Sequence, residues 1–444
     1  GNSFHHIDPH FGPDPEGDLA LIAGESSNPR SWQWTAADKL FLKLLQEAKV
    51  RGIRVIIDGV WNHTGRDFFA FADIRTHFQK SRYARWYDII EFDDPRTARN
   101  EFDYHGWYGF KSLPEFSNDP SGNNLAPGPK RYVFNASKRW MDPNGDGDPS
   151  DGIDGWRLDV AEEVPDGFWR EWHAYIREIN PDVFTSAEIW GPSADYLERT
   201  HFSSAMNYRG FAIPVKGWLI DGSITASDFA ERLQAERDGR SQEAALILQN
   251  LVDSHDTQRV ASAIRNRNTW DRYKNADWFD YDDGERVYAR TPGYDNGPPT
   301  AEGRRIWKML ALFQATYIGA PMIYYGTEVG MWSADDPEDR MPTWWHRMDG
   351  SIHDTYQTVL QLRHKHPALR RGDLTVLATR DDAQVFAFER RLNGERLVIV
   401  LNRGSGDATL GADYLDGLTL IYATDPAATS QRIPKLSGAV FGID

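Results

Sequence analysis

The sequence predicts an α/β fold, on three observations. Amphipathic helical runs alternate with apolar runs of strand length, as expected for strands covered by helices on both faces. Strand after strand ends in polar or ionisable residues: Asp58, Arg157 with Asp159, Glu188, and His255 with Asp256. From about Leu374 the texture changes to alternating β-type runs, VFAFERR and RLVIVLNR, which adds a small all-β domain at the chain's end.

The elements follow in order. The first 35 residues are rich in Gly, Pro, Asp, Ser and Asn and read as loop, with IDPHFG at Ile7–Gly12. Ala36–Val50 has helical spacing, with Leu40, Leu44 and Ala48 on one apolar side, and Gly52 ends it. Arg54–Asp58 is a strand buried on both sides. Residues 64–130 break the rhythm with many aromatics and a Pro/Gly/Asn cluster, so they read as a subdomain on the active face. A helix around Tyr132–Met141 leads through DPNGDGDPSDG to the strand Gly155–Val160. Phe168–Ile179 is amphipathic, Val183–Ala187 is a strand, and Ala244–Leu251 is an apolar run ending in DSHD. Arg304–Tyr317 is helical, Pro321–Tyr325 is a strand, and His353–His364 is the last helix of the series.

Composition narrows the function. A chain of 444 residues with 40% hydrophobic residues can bury a large catalytic domain and a smaller one. Its net charge of −16 argues against nucleic acid and anionic membrane surfaces, which demand basic patches. No apolar run reaches the length of a membrane span. With no cysteine, disulfides and thiolate chemistry are excluded, which fits a cytosolic and a secreted bacterial enzyme equally. The 17 Trp, 18 Tyr and 22 Phe lean towards carbohydrate, because flat aromatic faces pack on the C–H faces of sugars. Core aromatics would give the same composition.

The strand Gly155–Val160 carries the central pair. Arg157 and Asp159 are two apart and therefore share a strand face. A guanidinium beside a carboxylate keeps the acid ionised, as a carboxylate nucleophile requires. Alone, the pair reads equally well as a buried structural ion pair. Convergence of the other strand ends is what favours a site.

Those strand ends resemble the four signature regions of the α-amylase family of retaining glycoside hydrolases, in the family's order. They are DGVWNH at Asp58–His63, GWRLDVAEE at Gly155–Glu163, AEIW at Ala187–Trp190 and NLVDSHD at Asn250–Asp256. IDPHFG, YYGTEVGM and DDPEDRMP are also similar, nearest to the cyclomaltodextrinase, neopullulanase and maltogenic amylase branch. The resemblance implies a (β/α)8 TIM-type barrel over residues 1–365 with the subdomain at about 64–130, then a C-terminal β-sandwich over 366–444. It also implies two further strand–helix units ahead of IDPHFG, so the barrel is expected to be N-terminally incomplete, with about six strands where eight close it.

By the same resemblance Asp159 is the nucleophile, Glu188 the general acid/base and Asp256 a stabiliser of the distorted sugar. Glu188 lies beside Ile189 and Trp190, where desolvation would raise its pKa. His63, His255, Arg157 and Trp190 are expected to hold substrate, and Asp336 and Arg340 resemble the pair gripping the next sugar. Glu162, Gly191 and Thr327 depart from the residues common at their positions. The expected partner is an α-glucan, and the resemblance allows a homo-oligomer. No organic cofactor is expected. Asp142, Asn144, Asp146 and Asp148 resemble the start of an EF-hand loop and suggest structural calcium, although Ile153 replaces the usual twelfth-position glutamate. Transglycosylation or isomerisation on the same residues, and a non-catalytic binding relative, are the competing functions.

Overall fold

The computed structural model describes residues 3–94, 96–267 and 287–443. The chain divides into two compact units, Gly1–Ile189 with Asp195–Ala205, and Trp190–Ala194 with Met206–Asp444.

In the first unit, the segment read as loop contains helix α1, Pro15–Ile22. Asp14 caps it by accepting from Gly17 N at 3.0 Å, Pro15 occupies the first turn, and Glu16 and Asp18 complement the helix dipole. Helix α2 runs Ala36–Val50, as expected, and starts in a capping box between Thr35 and Asp38. Its buried side is not the expected one. Leu40 and Leu44 are 49% and 52% exposed, whereas Ala37, Asp38 and Leu45 are buried and Phe41 packs edge-on against Trp140. Five large apolar residues between 40 and 45 give α2 two apolar sides, and packing selects between them.

Strands β1 (Ile56–Gly59), β4 (Gly155–Leu158), β5 (Phe184–Ala187) and β6 (Ser204–Ala205) form one parallel sheet in the order β1-β4-β5-β6. β4 is buried throughout. β1 is not, and Asp58 is exposed, because β1 lies at the sheet's edge. Between β1 and β4, residues 64–130 hold α3 (Phe69–His77) and a short antiparallel pair, β2 (Ile89–Glu91) and β3 (Asp103–Tyr104). Phe68, Phe71, Tyr83, Trp86, Tyr87 and Phe116 are buried there, so many of the subdomain's aromatics are core. Helix α4 (Pro127–Met141) feeds β4, and α5 (Asp166–Ile179) joins β4 to β5.

In the second unit the apolar run 244–251 splits. Gln242–Ile247 is helical, capped by Ser241, and only Gln249–Asn250 is strand (β7), paired in parallel with β8, Ala320–Pro321. Helices Ala301–Thr316 and Gly350–Lys365 match their expected positions. The chain closes in one antiparallel sheet of β9 (Asp373–Arg380), β10 (Val385–Leu392), β11 (Glu395–Asn402), β12 (Thr419–Ala423) and β13 (Ser437–Gly442), in the order β12-β13-β11-β10-β9. Beside this sheet lie the isolated antiparallel bridges Ala408 with Ile433 and Thr429 with Arg432. One face, with Phe386, Phe388, Ile399 and Val440, shares a core with Leu312 and Phe313 of the helix Ala301–Thr316. The other face, with Val385, Ala387, Val398 and Val400, is covered by Ala408, Leu410, Leu415 and Ile433, which lie outside the sheet's strands.

The α2 cap is testable. Thr35→Ala removes one side of the capping box and is expected to cost about 1 kcal/mol. Thermal unfolding should show a lower melting temperature, and an unchanged one would contradict the role assigned to the cap.

Candidate active site

Register places the first group of side chains. Asp58 on β1 is paired with Arg157 on β4, which is paired with Ser186 on β5. The ladder runs on through Gly59, Leu158 and Ala187, and one residue beyond them Asp159 N donates to Gly59 O and Glu188 N to Leu158 O, each at 3.0 Å. Asp159 and Glu188 therefore leave adjacent parallel strands side by side at their C-terminal ends.

Arg157 joins them. Its Nη1 donates to Asp159 Oδ1 at 2.8 Å and to both Asp58 oxygens at 2.9 and 3.0 Å. Its Nη2 stands 2.9 Å from Glu188 Oε1 as an ion pair. Burial disfavours the cation, but Glu188, Asp58 and Asp159 outweigh it and push the guanidinium's pKa further up. Burial also pushes the Asp58 carboxyl up, Arg157 opposes this, and the Asp159 and Glu188 charges add to the rise, although half of the Asp58 side chain is accessible. Glu188 is 5% exposed, and its Oε2 accepts from Val160 N at 2.9 Å. The expected apolar surroundings of Glu188 are thus joined by a cation and a peptide donor. Val160 takes φ 39°, ψ 50°, a left-handed conformation unusual for a β-branched residue.

His63 follows β1 and is nearly buried. Its Nε2 lies 3.9 Å from Asp159 Oδ2, and its ring stacks on Trp107 at 5.5 Å. Burial holds its pKa below the usual imidazole range, against the pull of Asp159. Asp58, Arg157, Asp159, Glu188 and His63 are one cluster. Trp107 belongs with them and was missed, since one tryptophan among many in the subdomain carries no distinguishing signal.

The second unit assembles a group of its own. His255 Nε2 is 3.1 Å from Asp256 Oδ2, and Arg340 Nη2 donates to Asp256 Oδ1 at 3.0 Å. Arg340 Nε donates to His255 O and pairs with Asp336 Oδ1, both at 2.9 Å. Trp190 stacks on Tyr208 at 3.7 Å, and the Tyr208 hydroxyl bonds Ser254 Oγ, which accepts from Asp256 N. Thr327 donates to the buried Asp253 at 2.8 Å. Asp339 was also missed. It is fully buried, neither carboxyl oxygen has a hydrogen bond, and burial with help from the Asp335 and Asp336 charges pushes it up to about 8 against Arg340.

The acidic loop before β4 is a ladder of turns. Asp142 accepts from Gly145 N and Gly147 N, Asn144 from Asp146 N, Asp146 from Asp148 N, and Asp148 from Ser150 N. Ile153, at the twelfth position, is buried in the core. Asp151 Oδ1 is shielded and takes no hydrogen bond, and burial with the Asp142 and Asp146 charges pushes its carboxyl up.

Parallel strand–helix units with carboxylates brought together at the strand ends define a β/α protein with an acid-lined candidate site. The chain matches the alpha-amylase catalytic-domain family over residues 35–281 and belongs to that family. It is 32% identical over 389 residues to neopullulanase 2 from Thermoactinomyces vulgaris, covering 85% of this chain and 58% of that protein. It is 31% identical to a cyclomaltodextrinase from Bacillus sp, covering 83% and 57%. The debranching enzyme of Nostoc punctiforme superposes with a TM-score of 0.74 at 27% identity, over 99% of this chain and 82% of that one. The chain thus spans a little over half the length of the two curated relatives.

Asp339 gives a pH test. Between its ordinary value, about 4, and the folded value of about 8, the folded chain keeps a proton that the unfolded chain releases. Stability therefore falls as pH rises through that window. The melting temperature of Asp339→Asn relative to the parent should rise from pH 5 to pH 8. A difference independent of pH would contradict the raised value.

Proposed function

We propose that the chain belongs to a retaining hydrolase of α-1,4-glucosidic bonds in cyclodextrins, pullulan or maltooligosaccharides, working through a covalent glycosyl-aspartate. The observation that carries this reading is that one guanidinium, Arg157, contacts both Asp159 and Glu188. Shared contact with one small planar group confines the two carboxyls to the scale of a single glycosidic bond. Retaining enzymes need such a pair about 5–5.5 Å apart. The names of the relatives, neopullulanase and cyclomaltodextrinase, support the substrate class. The finer fold reading, a (β/α)8 barrel, is proposed with it and is supported by the parallel pairing of β1, β4, β5 and β6 and, separately, of β7 with β8.

In this mechanism Asp159 attacks the anomeric carbon while Glu188 gives its proton to the leaving oxygen. Water then enters, Glu188 takes its proton, and the glycosyl–Asp159 ester breaks with net retention. Arg157 stabilises the carboxylate that leaves the ester. His63, beside Asp159 and stacked on Trp107, is placed to bind a sugar hydroxyl of the ring under attack. Held below the usual imidazole range, it would do so as a neutral group. Asp256, with His255 and Arg340 as partners, is proposed to bind substrate hydroxyls and to favour an oxocarbenium-like form. Trp190 and Asp336 are proposed to contact substrate.

Asp159→Asn and Glu188→Gln are each expected to lower kcat on maltooligosaccharides at least about 1,000-fold, with circular dichroism like the parent and a melting temperature lowered by the loss of one Arg157 partner. Near-parental turnover in either variant would contradict the assignment.

A structural calcium ion at the loop of Asp142, Asn144, Asp146 and Asp148 is a second proposal. The crowding of Asp151 by Asp142 and Asp146 supports it, since a bound cation would relieve that repulsion. Millimolar calcium should then raise the melting temperature. No rise would leave the loop as a set of capped turns.

A further inference from the structure

A second polar cluster lies within the first unit, on residues the mechanism does not use. His5 Nε2 is 2.9 Å, and His6 Nε2 2.6 Å, from the same oxygen, Glu25 Oε2. The side chains of His5, His6 and Glu25 are 1–3% exposed. Among the described residues this is the one group of three or more His, Cys, Asp or Glu side chains whose ligand atoms all lie within 4.8 Å of one another.

The outer partners face away from the convergence point. His6 Nδ1 is 2.7 Å from Asp38 Oδ2, and His5 Nδ1 is 2.7 Å from the Tyr132 hydroxyl. Glu25 Oε1 accepts from Gln33 N at 2.7 Å, which leaves Oε2 turned towards the two rings. Asp38 is itself fixed by Ile7 N, Thr35 N and Arg139. Trp32 stacks on the His5 ring at 4.0 Å. Imidazoles oriented by a carboxylate or hydroxyl on one nitrogen, with the other nitrogen aimed inward, are the usual surroundings of a metal-bound histidine.

We propose that His5 Nε2, His6 Nε2 and Glu25 Oε2 bind a divalent first-row transition ion, with zinc as the natural occupant. Two imidazole nitrogens and one carboxylate oxygen are a recognised zinc donor set that leaves a fourth position for water. The donors already lie close together and must spread only slightly to admit an ion at about 2.0–2.2 Å. A cation also suits the charges: Glu25 and Asp38 face the rings, and Arg139, the nearest fixed cation, is engaged by Asp38 and stacked 3.5 Å above Trp34. The site would tie the segment before α1 to α2 and, through Tyr132, to α4. Its ligands are distinct from the Arg157 cluster.

The test uses the whole chain, stripped with a chelator and then given zinc alone or cobalt(II) alone. The expected result is one equivalent of zinc retained through dialysis, a higher melting temperature, and visible d–d absorption with cobalt. Glu25→Gln, with circular dichroism like the parent, should bind zinc at least about tenfold more weakly. Should that variant fail to fold, zinc-edge X-ray absorption on the parent replaces it, with two imidazole shells expected at about 2.0–2.1 Å. Folded parent that retains less than about a tenth of an equivalent overturns the proposal. So does an absorption spectrum without imidazole scattering, or unaltered binding by Glu25→Gln. The cluster would then be a proton-linked His–Glu network.

Discussion

The ion network around Arg157 is the constraint on which the first unit's site depends. A buried guanidinium without partners would be strongly destabilising, and removing one partner of a buried pair typically costs several kcal/mol. Here three carboxylates from three neighbouring strand ends meet it. Parallel register does the positioning: Asp58 and Arg157 are paired residues, and Asp159 and Glu188 lie two residues beyond that paired row. The network therefore fixes where two acids sit relative to each other, which is the property a two-carboxylate reaction needs. Val160 shows the local cost. Its left-handed backbone carries strain of about 1–3 kcal/mol, and its N–H is the one that holds Glu188 Oε2.

The second unit uses the same device with different residues. Arg340 contacts Asp256 and Asp336 and also the carbonyl of His255, so one cation orders a short stretch after β7 against the DDPEDRMP segment. Thr327 serves as a donor to buried Asp253. An acid at position 327 would face the Asp253 carboxylate, so the threonine suits its surroundings here.

Much of this was legible in the sequence, and the exceptions have physical reasons. The ends of α2, the strand carrying Arg157 and Asp159, and the strand-end acids follow from periodicity and from turn and cap residues. The buried side of α2 did not, because Leu40, Phe41, Leu42, Leu44 and Leu45 satisfy two helical stripes and only tertiary packing chooses. Helix α1 was hidden in a stretch rich in Gly, Pro and Asp, yet its Asp14–Pro15 start is a recognisable cap. Residues 244–247 belong to the apolar run Ala244–Leu251, whose hydrophobicity does not mark a helix, while Ser241 is the overlooked helix signal. The His5–His6–Glu25 convergence had no signal in spacing, since adjacent histidines in an irregular segment can point anywhere. Asp339 likewise shows its burial only in three dimensions.

The most direct measurement is chemical trapping of the intermediate. A fluorinated glucosyl fluoride that slows breakdown of the glycosyl-enzyme should leave a sugar mass on the peptide containing Asp159, located by tandem mass spectrometry. The account predicts the label on Asp159, in a protein whose products keep the anomeric configuration of the substrate. A label on another residue, or inverted products with no adduct, would contradict it.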